Sequence, residues 1–410
     1  MKYIKLSECA YFSEKRTKLI DVDSYISTEN MVPNKGGIVK ADSIPDVKST
    51  SKYEVDDILL SNIRPYFCKI WLADKDGGCS NDVLVLKAKK GYEPKFLYYV
   101  LSDQNFFNYD TVTSKGTKMP RGTPNAIMKY LVPDIDVNTQ KKFVSILSAY
   151  DNQIENNNKR IKILEQMPEN LYEEWFVRFR FPGHENTQFL SSNMGKIPSV
   201  FTFAKMQNVV EYDIGGGWGE DEYSASFPIE AKVIRGADFP YVKRGDLRTC
   251  PNRFHKESNF KSRKLKSGDI ILEVSGGTAE QPVGRTILVS QQMLDRFNGK
   301  VICASFCKLV RLKKEKISPI YFYYWMQFLY GTRIIDRFQL QSTGIINFKF
   351  EYFLKKGDVM LPPSEIMKKF EELVAPIHAQ IEKIAMETEN LIKQRDLLLP
   401  RLMSGKIEVH

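Results

Sequence analysis

One helical segment occurs twice in this chain, and the repeat limits the folds that the chain can adopt. Residues 141–171 and 368–398 align without gaps, with eight identities in 31 positions and a constant offset of 227 residues. The shared residues include KKF at the start and QIE near the middle of each segment. The sequence therefore predicts a globular block followed by a helix, and then a second globular block followed by a second helix. The period is far longer than that of solenoid repeats.

The blocks that precede the two helices also resemble each other. DDILL at 56–60 corresponds to GDIIL at 268–272, and both are typical of a buried strand. PKFLYYVL at 94–101 corresponds to PIYFYYWM at 319–326, and both indicate a helix with aromatic residues. We predict a mixed α+β fold with an internal pseudo-twofold duplication. Its parts are a first α/β domain, a central helix, a second α/β domain and a C-terminal helix with a tail, at residues 1–138, 139–180, 181–363 and 364–410.

Each repeated helix carries a narrow apolar stripe with alternating spacings of four and three residues, which is typical of a coiled coil. Because neither helix can bury its stripe alone, we predict that the two pack on each other as an antiparallel pair. The alternative is two ordinary core helices in separate domains. The predicted seam positions are Phe143, Leu147, Tyr150, Ile154, Asn157, Ile161 and Leu164 in the first helix and Phe370, Val374, Ile377, Ile381, Ile384, Thr388 and Leu391 in the second.

One antiparallel register pairs residues whose numbers sum to 545. In that register Ile154 faces Leu391, Ile161 faces Ile384, and Leu147 faces Leu398. Polar Asn157 then meets polar Thr388, and a single polar layer commonly fixes the register of a coiled coil. Pro168 and Pro376 predict kinks or breaks in the two helices.

The length of such helices suggests a spacing role. About thirty helical residues at ~1.5 Å each span roughly 45 Å, and DNA repeats its groove every ~34–36 Å. Two like domains at the ends of such a rod could read two short half-sites on one face of a duplex. Because the two blocks differ in sequence, the half-sites are expected to differ, which makes the target asymmetric and bipartite.

The composition is that of a globular protein with a preference for polyanions. The 410 residues exceed one ordinary core and suit two domains. Sixty basic and fifty acidic residues leave a formal charge of +10, which favours a partner such as DNA. The six cysteines include no CxxC pair, the first residues do not resemble a signal peptide, and the most apolar stretch, 319–330, falls short of a bilayer span of ~20 residues. We expect a cytoplasmic protein with reduced thiols.

The second block contains a basic run that predicts contact with DNA. Residues 232–266 include eleven basic and three acidic residues, and cationic side chains that neutralise phosphates release counterions. Arg244, Arg253 and Arg263 are candidates for guanine contact, since the guanidinium fork matches guanine O6 and N7, and Lys264 is a candidate for phosphate contact. A solvated basic surface is the alternative.

Two glycine-rich segments of the second block have the composition of groove-approaching loops. IGGGWGE at 214–220 suggests a mobile loop in which the backbone at Gly216 approaches a groove and Trp218 supplies an aromatic wedge. In SGGTAEQPVGR, Gly276 and Gly277 suggest a tight turn beside Gln281 and Arg285, which have base-reading chemistry. A plain flexible turn is the alternative for both segments.

The first block offers fewer candidate residues for DNA contact. SNIRPYF places Arg64 beside Tyr66, an arrangement of charge and aromatic surface that suits a nucleic acid. SKGTKMPRGTPN gathers Lys115, Lys118 and Arg121 in a segment too rich in glycine and proline for a helix. We predict that this loop lies along the DNA backbone. A surface loop without a partner is the alternative.

Catalytic motifs are absent from the sequence. It contains neither NPPY nor DPPY, which an adenine methyltransferase would use, and no phosphate loop for ATP. No Cys/His group has metal-ligand spacing, so no catalytic residue and no metal site are assigned. The rival hypothesis is a self-sufficient nuclease in which Glu230 and Lys232 act with Asp213 or Asp221.

Taken in order, several motifs resemble those of the specificity (S) subunits of Type I restriction–modification enzymes, over nearly the whole chain. They are STENMVPNKGG (27–37), DILLSNIRPYFCKI (57–70), GCSNDVLVLK (78–87), the first helix, YDIGGGWGEDEY (212–223), VIRGADF (233–239), SGGTAEQPVGRT (275–286) and ENLIKQRDLLLPRLMSGKIEV (389–409).

This resemblance implies two target-recognition domains joined by antiparallel spacer helices, in a subunit that is not itself an enzyme. It implies double-stranded DNA, two methyltransferase (M) subunits and restriction (R) subunits as partners. The M subunits would methylate adenine with S-adenosylmethionine, and the R subunits would use ATP and Mg²⁺. The resemblance implies no cofactor for this chain itself. The base sequence of the target does not follow from these motifs.

Overall fold

The computed structural model describes residues 2–18, 21–192, 195–278, 281–342 and 345–403. The chain divides into two compact units, of which unit 1 comprises Met1–Ile154 and Asn390–His410, and unit 2 comprises Glu155–Glu389. Both boundaries fall inside long helices, namely α5 (Val137–Tyr172) and α12 (Ser364–Met403). His410, which the sequence leaves open as a native residue or a tag remnant, lies outside the described residues.

Unit 1 is built from short strands and helices in addition to its parts of α5 and α12. Its strands are β1 (Tyr3–Lys5), β2 (Ala10–Phe12), β3 (Arg16–Thr17), β4 (Tyr25–Ile26), β5 (Thr50–Tyr53), β6 (Ile58–Ser61), β7 (Ile70–Leu72), β8 (Gly77–Cys79), β9 (Val83–Ala88) and β10 (Leu131–Pro133). Its other helices are α1 (Leu6–Cys9), α2 (Pro94–Ser102), α3 (Gln104–Thr113) and α4 (Pro124–Ile127).

Two sheets organise unit 1, in the orders β2-β9-β6-β7 and β3-β5-β8-β4. Every residue of β6 is buried, as the apolar sequence at 56–60 predicts for a strand covered on both faces. Helix α2 begins at Pro94, where the missing N–H costs no helical hydrogen bond. Phe96, Leu97 and Val100 of α2 enter the same core cluster as Ile58 and Leu60 of β6.

Unit 2 repeats this plan with additional elements. Its strands are β11 (Phe189–Ser192), β12 (Gly195–Pro198), β13 (Thr202–Lys205), β14 (Val210–Gly215), β15 (Ile229–Ile234), β16 (Asn252–His255), β17 (Ile270–Glu273), β18 (Ser275–Gly277), β19 (Thr286–Leu288), β20 (Val301–Cys303), β21 (Cys307–Leu312), β22 (Gln339–Ser342), β23 (Ile345–Phe348) and β24 (Asp358–Leu361). Its other helices are α6 (Met206–Val209), α7 (Phe239–Val242), α8 (Glu257–Arg263), α9 (Gln291–Arg296), α10 (Pro319–Gly331) and α11 (Phe350–Lys356).

The sheet order β14-β21-β17-β19 in unit 2 corresponds to β2-β9-β6-β7 in unit 1. One ion pair also recurs at the start of the equivalent buried strands. Asp57 contacts Lys87 of β9 at 2.8 Å, and Asp269 contacts Arg311 of β21 at 2.7 Å. Both carboxylates are buried, so each requires its partner to offset the loss of water. The internal duplication thus extends to a buried charge pair.

Within unit 1, the N-terminal half of α5 packs against the C-terminal end of α12. Leu147 and Leu402 are buried in the same core cluster. Arg395 Nη1 of α12 donates a hydrogen bond to Asp151 Oδ1 of α5 at 2.7 Å, and Tyr99 Oη donates to the other oxygen of Asp151. Apolar burial and a shared carboxylate therefore hold this segment of the two helices.

Within unit 2, the rest of α5 packs against the middle of α12. Asn157 Nδ2 donates a hydrogen bond to Thr388 Oγ1 at 3.2 Å, the pair whose numbers sum to 545. Ile161, Ile381 and Ile384 are buried in one cluster. Thr388 Oγ1 also donates to Ile384 O at 2.8 Å, so both members of the buried polar layer are hydrogen-bonded.

The helices continue through residues at which a break was predicted. Pro168 lies inside α5, which ends at Tyr172 and is followed by a π-helical turn at Glu173–Val177. Pro376 lies inside α12. Neither proline breaks its helix, because packing of the apolar stripe on both sides outweighs one lost hydrogen bond; a kink at each proline stays a prediction. Trp175, beyond the predicted seam, packs against Phe370 with ring centroids 6.1 Å apart and ring planes tilted by 55°.

Three of the six cysteines, Cys79, Cys303 and Cys307, lie in strands. Cys303 ends β20 and Cys307 begins β21. All six thiols are buried and none forms a disulfide.

In the described ranges, no helix combines the length with the apolar character that crossing a bilayer requires.

Candidate nucleic-acid interface

Three segments of unit 1 meet at the end of β6 and form a basic and aromatic surface. Arg64 N donates to Pro120 O at 2.7 Å, which joins the segment after β6 to the loop at 114–122. Asn34 N donates to Phe67 O at 2.8 Å and Lys35 N to Cys68 O at 2.9 Å, which adds the turn at 33–37. We call this surface the unit 1 face; its side chains are Lys35, Arg64, Tyr66, Phe67, Lys115, Lys118 and Arg121.

The backbone of the unit 1 face has positive φ at several non-glycine residues, including Lys35 at +61°. Arg64 has φ +50° and Cys68 has φ +51°, which non-glycine residues rarely adopt and which cost about 1–3 kcal/mol each. These residues flank the single 3-10 turn Pro65–Phe67, which leaves Tyr66 48% and Phe67 37% exposed. The guanidinium of Arg64 lies 6.0 Å from the centroid of Phe67. Exposed rings beside a cation suit contact with bases and sugars.

The loop at 114–122 is ordered by its own backbone. Lys115 and Arg121 exchange N–H to carbonyl hydrogen bonds of 2.9 Å in both directions. The side chains of Lys115 and Lys118 are exposed at this loop, and Arg121 pairs with Asp82 at 3.1 Å. The predicted candidates Arg64, Tyr66, Lys115, Lys118 and Arg121 therefore lie on neighbouring segments.

A buried carboxyl group supports this loop from inside unit 1. Asp110 of α3 is fully buried, and neither its oxygens nor Asn62 Oδ1 has a hydrogen-bond partner among the described residues. Burial raises the pKa of Asp110 to about 6. A Cβ at Gly122 would lie 2.6 Å from Asp110 Oδ1 and 2.9 Å from Asn62 Oδ1, so glycine lets the loop approach these oxygens.

The equivalent end of β17 in unit 2 opens onto a cleft of about 760 Å³. The cleft brings together Trp218, Gly276, Gln281 and Arg285, which the sequence singles out separately. Trp218 is 40% and Phe306 is 63% exposed, so the cleft has aromatic walls. We call it the unit 2 cleft; its functional lining is Trp218, Arg235, Gly276, Gln281, Arg285 and Phe306.

Both arginines of the unit 2 cleft are held by carboxylates. Arg285 Nε and Nη2 donate to buried Glu273 at 2.8 and 2.5 Å, and Nη2 also donates to Gly236 O at 3.0 Å. Arg235 donates to both oxygens of Asp238 at 2.9 and 2.8 Å. These pairs neutralise buried charge and fix the walls of the cleft.

The basic run at 232–266 does not form one patch. Arg244 pairs with Glu165 of α5 at 3.1 Å. Arg253 is buried, with its guanidinium 4.6 Å from the ring centroid of Trp218, and it donates to Gly219 O at 3.1 Å. Arg263 donates to Gly215 O at 2.9 Å, whereas Lys264 is exposed at the end of α8. Strand and helix geometry thus separates residues that are close in sequence.

The glycine-rich segments contain backbone hydrogen bonds and close backbone contacts. Gly216 N donates to Cys307 O and Gly217 N to Cys303 O, each at 2.9 Å. A Cβ at Gly216 would lie 2.1 Å from Ala304 O, so glycine permits close backbone packing here, and mobility of the loop stays a prediction. Gly276 and Gly277 belong to β18, which pairs with β23 through an irregular register. The expected tight turn is a bulged strand, and Gly276 adopts φ +97° within it.

The residues of the rival nuclease hypothesis are engaged separately. Glu230 is exposed on β15, and Lys232 Nζ donates to Cys250 O at 3.1 Å. Asp213 contacts Lys308, and Asp221 contacts Arg253. The part of the chain that the structure describes contains no group of three His, Cys, Asp or Glu side chains arranged to hold a metal ion.

Sequence reasoning missed Lys35, Phe67 and Phe306. A lysine in a turn and a phenylalanine beside a strand carry no distinct signal, because the first is common on surfaces and the second is typical of a core. Only pairing of the turn at 33–37 with 67–68 brings Lys35 to the unit 1 face. Arg235 lies in the basic run, but nothing in its spacing separates it from its neighbours.

Comparisons with known proteins agree with these features. Residues 5–166 match the family described as the Type I restriction modification DNA specificity domain. The chain is 24% identical over 431 residues to the Type I restriction enzyme MjaVIII specificity subunit of Methanocaldococcus jannaschii, with 100% of this chain and 91% of the relative covered. It is 23% identical over 445 residues to the Type I restriction enzyme HindI specificity subunit of Haemophilus influenzae, covering 93% and 94%.

A solved structure shares the fold. The crystal structure of a Type I restriction–modification system S subunit from M. genitalium superimposes with a TM-score of 0.52 and 15% identity, covering 100% of this chain and 96% of that chain. The resemblance predicted from the sequence motifs is confirmed: residues 5–166 match the Type I restriction modification DNA specificity domain, and the whole chain is similar to Type I specificity subunits.

Proposed function

We propose that this chain is the DNA-recognition subunit of a Type I restriction–modification complex. One observation carries the proposal: the same buried strand in each unit, β6 or β17, leads to a surface with cationic and aromatic side chains. In unit 1 this is the unit 1 face, and in unit 2 it is the unit 2 cleft. Rings and cations fixed by paired backbone are suited to the grooves and phosphates of duplex DNA.

The target is proposed to be bipartite and asymmetric. The two surfaces differ in composition, because the unit 1 face carries exposed lysines whereas the arginines of the unit 2 cleft are paired with carboxylates. Two different surfaces read two different half-sites. The helices α5 and α12 are proposed to set the length of the spacer between the half-sites.

The chemistry is proposed to belong to partner subunits. The described residues contain no metal site formed by Glu230, Lys232, Asp213 and Asp221. The relatives are described as specificity subunits, which supports a role in recognition. Two M subunits would methylate adenine at N6 with S-adenosylmethionine, and R subunits would use ATP and Mg²⁺. The chain itself is proposed to be non-catalytic and to position these subunits on DNA.

Mapping of methylated adenines tests the proposal. Genomic DNA is taken from cells that carry the chain with its methyltransferase partner, and from cells that carry the partner alone. The expected result is methylation in a two-part motif with an unspecified spacer, found only when the chain is present. A single uninterrupted motif would contradict the bipartite target.

The rival hypothesis has its own test. The purified chain is incubated with duplex DNA and Mg²⁺, beside the Glu230→Ala variant. The proposed function predicts no cleavage by either protein. Cleavage by the unchanged chain that is lost in Glu230→Ala would establish a nuclease instead.

A further inference from the structure

The orientation of one amide in the unit 2 cleft restricts what the cleft can recognise. The amide of Gln281 is assigned with Oε1 toward Arg285, which places Oε1 2.9 Å from both Nη1 and Nη2. Nη1 supplies the hydrogen bond, because the two N–H groups of Nη2 face Glu273 and Gly236 O. The opposite orientation would set the N–H groups of Gln281 against those of Arg285. The acceptor of the amide is therefore occupied, and its two N–H donors point away from Arg285.

Arg285 cannot turn away to release Gln281. Its Nε and Nη2 are held by Glu273, which is 5% exposed, and Nη2 also donates to Gly236 O. Breaking this pair would leave a buried carboxylate without a partner, which is costly. The main chain of Gln281 is fixed as well, since Thr278 N donates to Gln281 O at 2.8 Å.

The paired arginines also leave the amide as the group able to discriminate between bases. The Nε–Nη2 edge of Arg285 faces Glu273, and the same edge of Arg235 faces Asp238, so neither arginine presents that edge to guanine. A glutamine with both ends free pairs with adenine, accepting from N6 and donating to N7. Gln281 can only donate.

We propose that Gln281, oriented by Arg285, reads a base with acceptors on its major-groove edge. Guanine offers two adjacent acceptors, O6 and N7, and thymine offers O4. Adenine offers N7 beside the N6 donor, and cytosine presents the N4 donor, so both place a donor against the N–H groups of Gln281. Guanine is the preferred base because it can take both N–H groups. Arg285 is a positioning residue, and this inference rests on the proposed function.

The test exchanges the donor for an acceptor. In Gln281→Glu, one carboxylate oxygen stays on Arg285 and the other accepts from the base. We expect one position of one half-site to change from guanine or thymine to cytosine or adenine, with preference altered at least about tenfold. The readout is the methylation motif of the full chain with its methyltransferase partner. Gln281→Ala should leave that position unspecified.

Two further variants separate recognition from general effects. Gln291→Glu makes the same change of charge on α9, where Gln291 is exposed and donates to Asp295 at 2.8 Å, and it should leave the motif unchanged. Arg285→Lys keeps the charge but loses the fork, so Gln281 can rotate and adenine should become acceptable at the same position.

The outcomes distinguish the inference from the function on which it rests. An unchanged motif in both Gln281→Glu and Gln281→Ala would overturn the reading role of Gln281. An unmodified chain that directs no two-part methylation would overturn the proposed bipartite recognition itself. A change confined to one base of one half-site supports both.

Discussion

Asp110 shows how a single residue couples the interior of unit 1 to its surface. The carboxyl group is fully buried without a side-chain partner among the described residues, and it lies against Gly122 of the loop that carries Lys118 and Arg121. Burial favours the protonated form, which explains why the pKa of Asp110 is raised to about 6. Above that pH the carboxyl group of Asp110 must either ionise in place or become more exposed to solvent.

The raised pKa predicts a pH-dependent stability. The pKa of Asp110 in the folded chain exceeds its unfolded value of 3.8. The stability that the protonated carboxyl group contributes is therefore fully present below pH 4 and is lost as pH rises through about 6. Asp110→Asn should therefore increase the free energy of unfolding at pH 7.5, by at most about 3 kcal/mol. Urea unfolding between pH 4 and 8 measures the difference, which should shrink to near zero at the acid end.

Asp136 provides a control of opposite sign. It accepts hydrogen bonds from the side chain and backbone of Thr139, which lower its pKa. The stability that ionised Asp136 contributes is present at neutral pH and is lost as pH falls. Asp136→Asn should therefore have a lower free energy of unfolding than the unmodified chain at pH 7.5. A difference between Asp110→Asn and the unmodified chain that stays constant across the pH range would contradict the assignment to titration of Asp110.

At the scale of elements, the packing of α5 on α12 combines apolar layers with a few polar contacts. In unit 1 the carboxylate of Asp151 joins α2, α5 and α12 through Tyr99 and Arg395. In unit 2 Asn157 and Thr388 form the polar layer. Such contacts contribute little net stability but penalise other registers, because a shift would leave each group buried without a partner.

Removal of the shared carboxylate should destabilise unit 1. In Asp151→Ala, Arg395 keeps only Asp396, at 2.9 Å, and Tyr99 loses its acceptor. We expect a loss of about 2–3 kcal/mol in the free energy of unfolding, measured by denaturant titration. Asp396→Ala is the control: Asp396 is 43% exposed, and its loss should cost less than about 1 kcal/mol. Equal effects would contradict a special role for Asp151.

At the scale of the whole molecule, the proposed spacer role of the helices can be tested by length. Seven residues inserted after Asn158 in α5, together with seven after Met386 in α12, keep the apolar stripe of both helices in phase. Seven helical residues add about 10 Å, so the spacer of the methylated motif should lengthen by about three base pairs. Methylation mapping of cells that carry the variant measures the spacer.

The control for this prediction changes one helix only. Seven residues inserted in α5 alone shift its seam against α12, so we expect lower stability and little methylation. If the paired insertion altered the half-sites while the spacer stayed constant, the helices would not set the spacing.

The sequence by itself determined the duplicated plan, the two long helices and the equivalence of β6 with β17. These features depend on periodicity and on buried apolar runs, which are local properties of the chain. The same reasoning assigned Gln281 and Arg285 base-reading chemistry, because residue type fixes which hydrogen bonds a side chain can make.

Only the tertiary structure decided which of these groups are available. Arg253 is buried, Arg244 pairs with Glu165, and Arg285 is held by Glu273, so most of the predicted guanine readers are engaged within the chain. Lys35 reaches the unit 1 face through a turn 29 residues before Arg64 in sequence. Long-range pairing sets the partner of each charge, and no local pattern encodes it. The physical reason is that residue type alone fixes which hydrogen bonds and ion pairs a side chain can make. Whether its donors and acceptors remain free for DNA depends on which groups the fold places beside it.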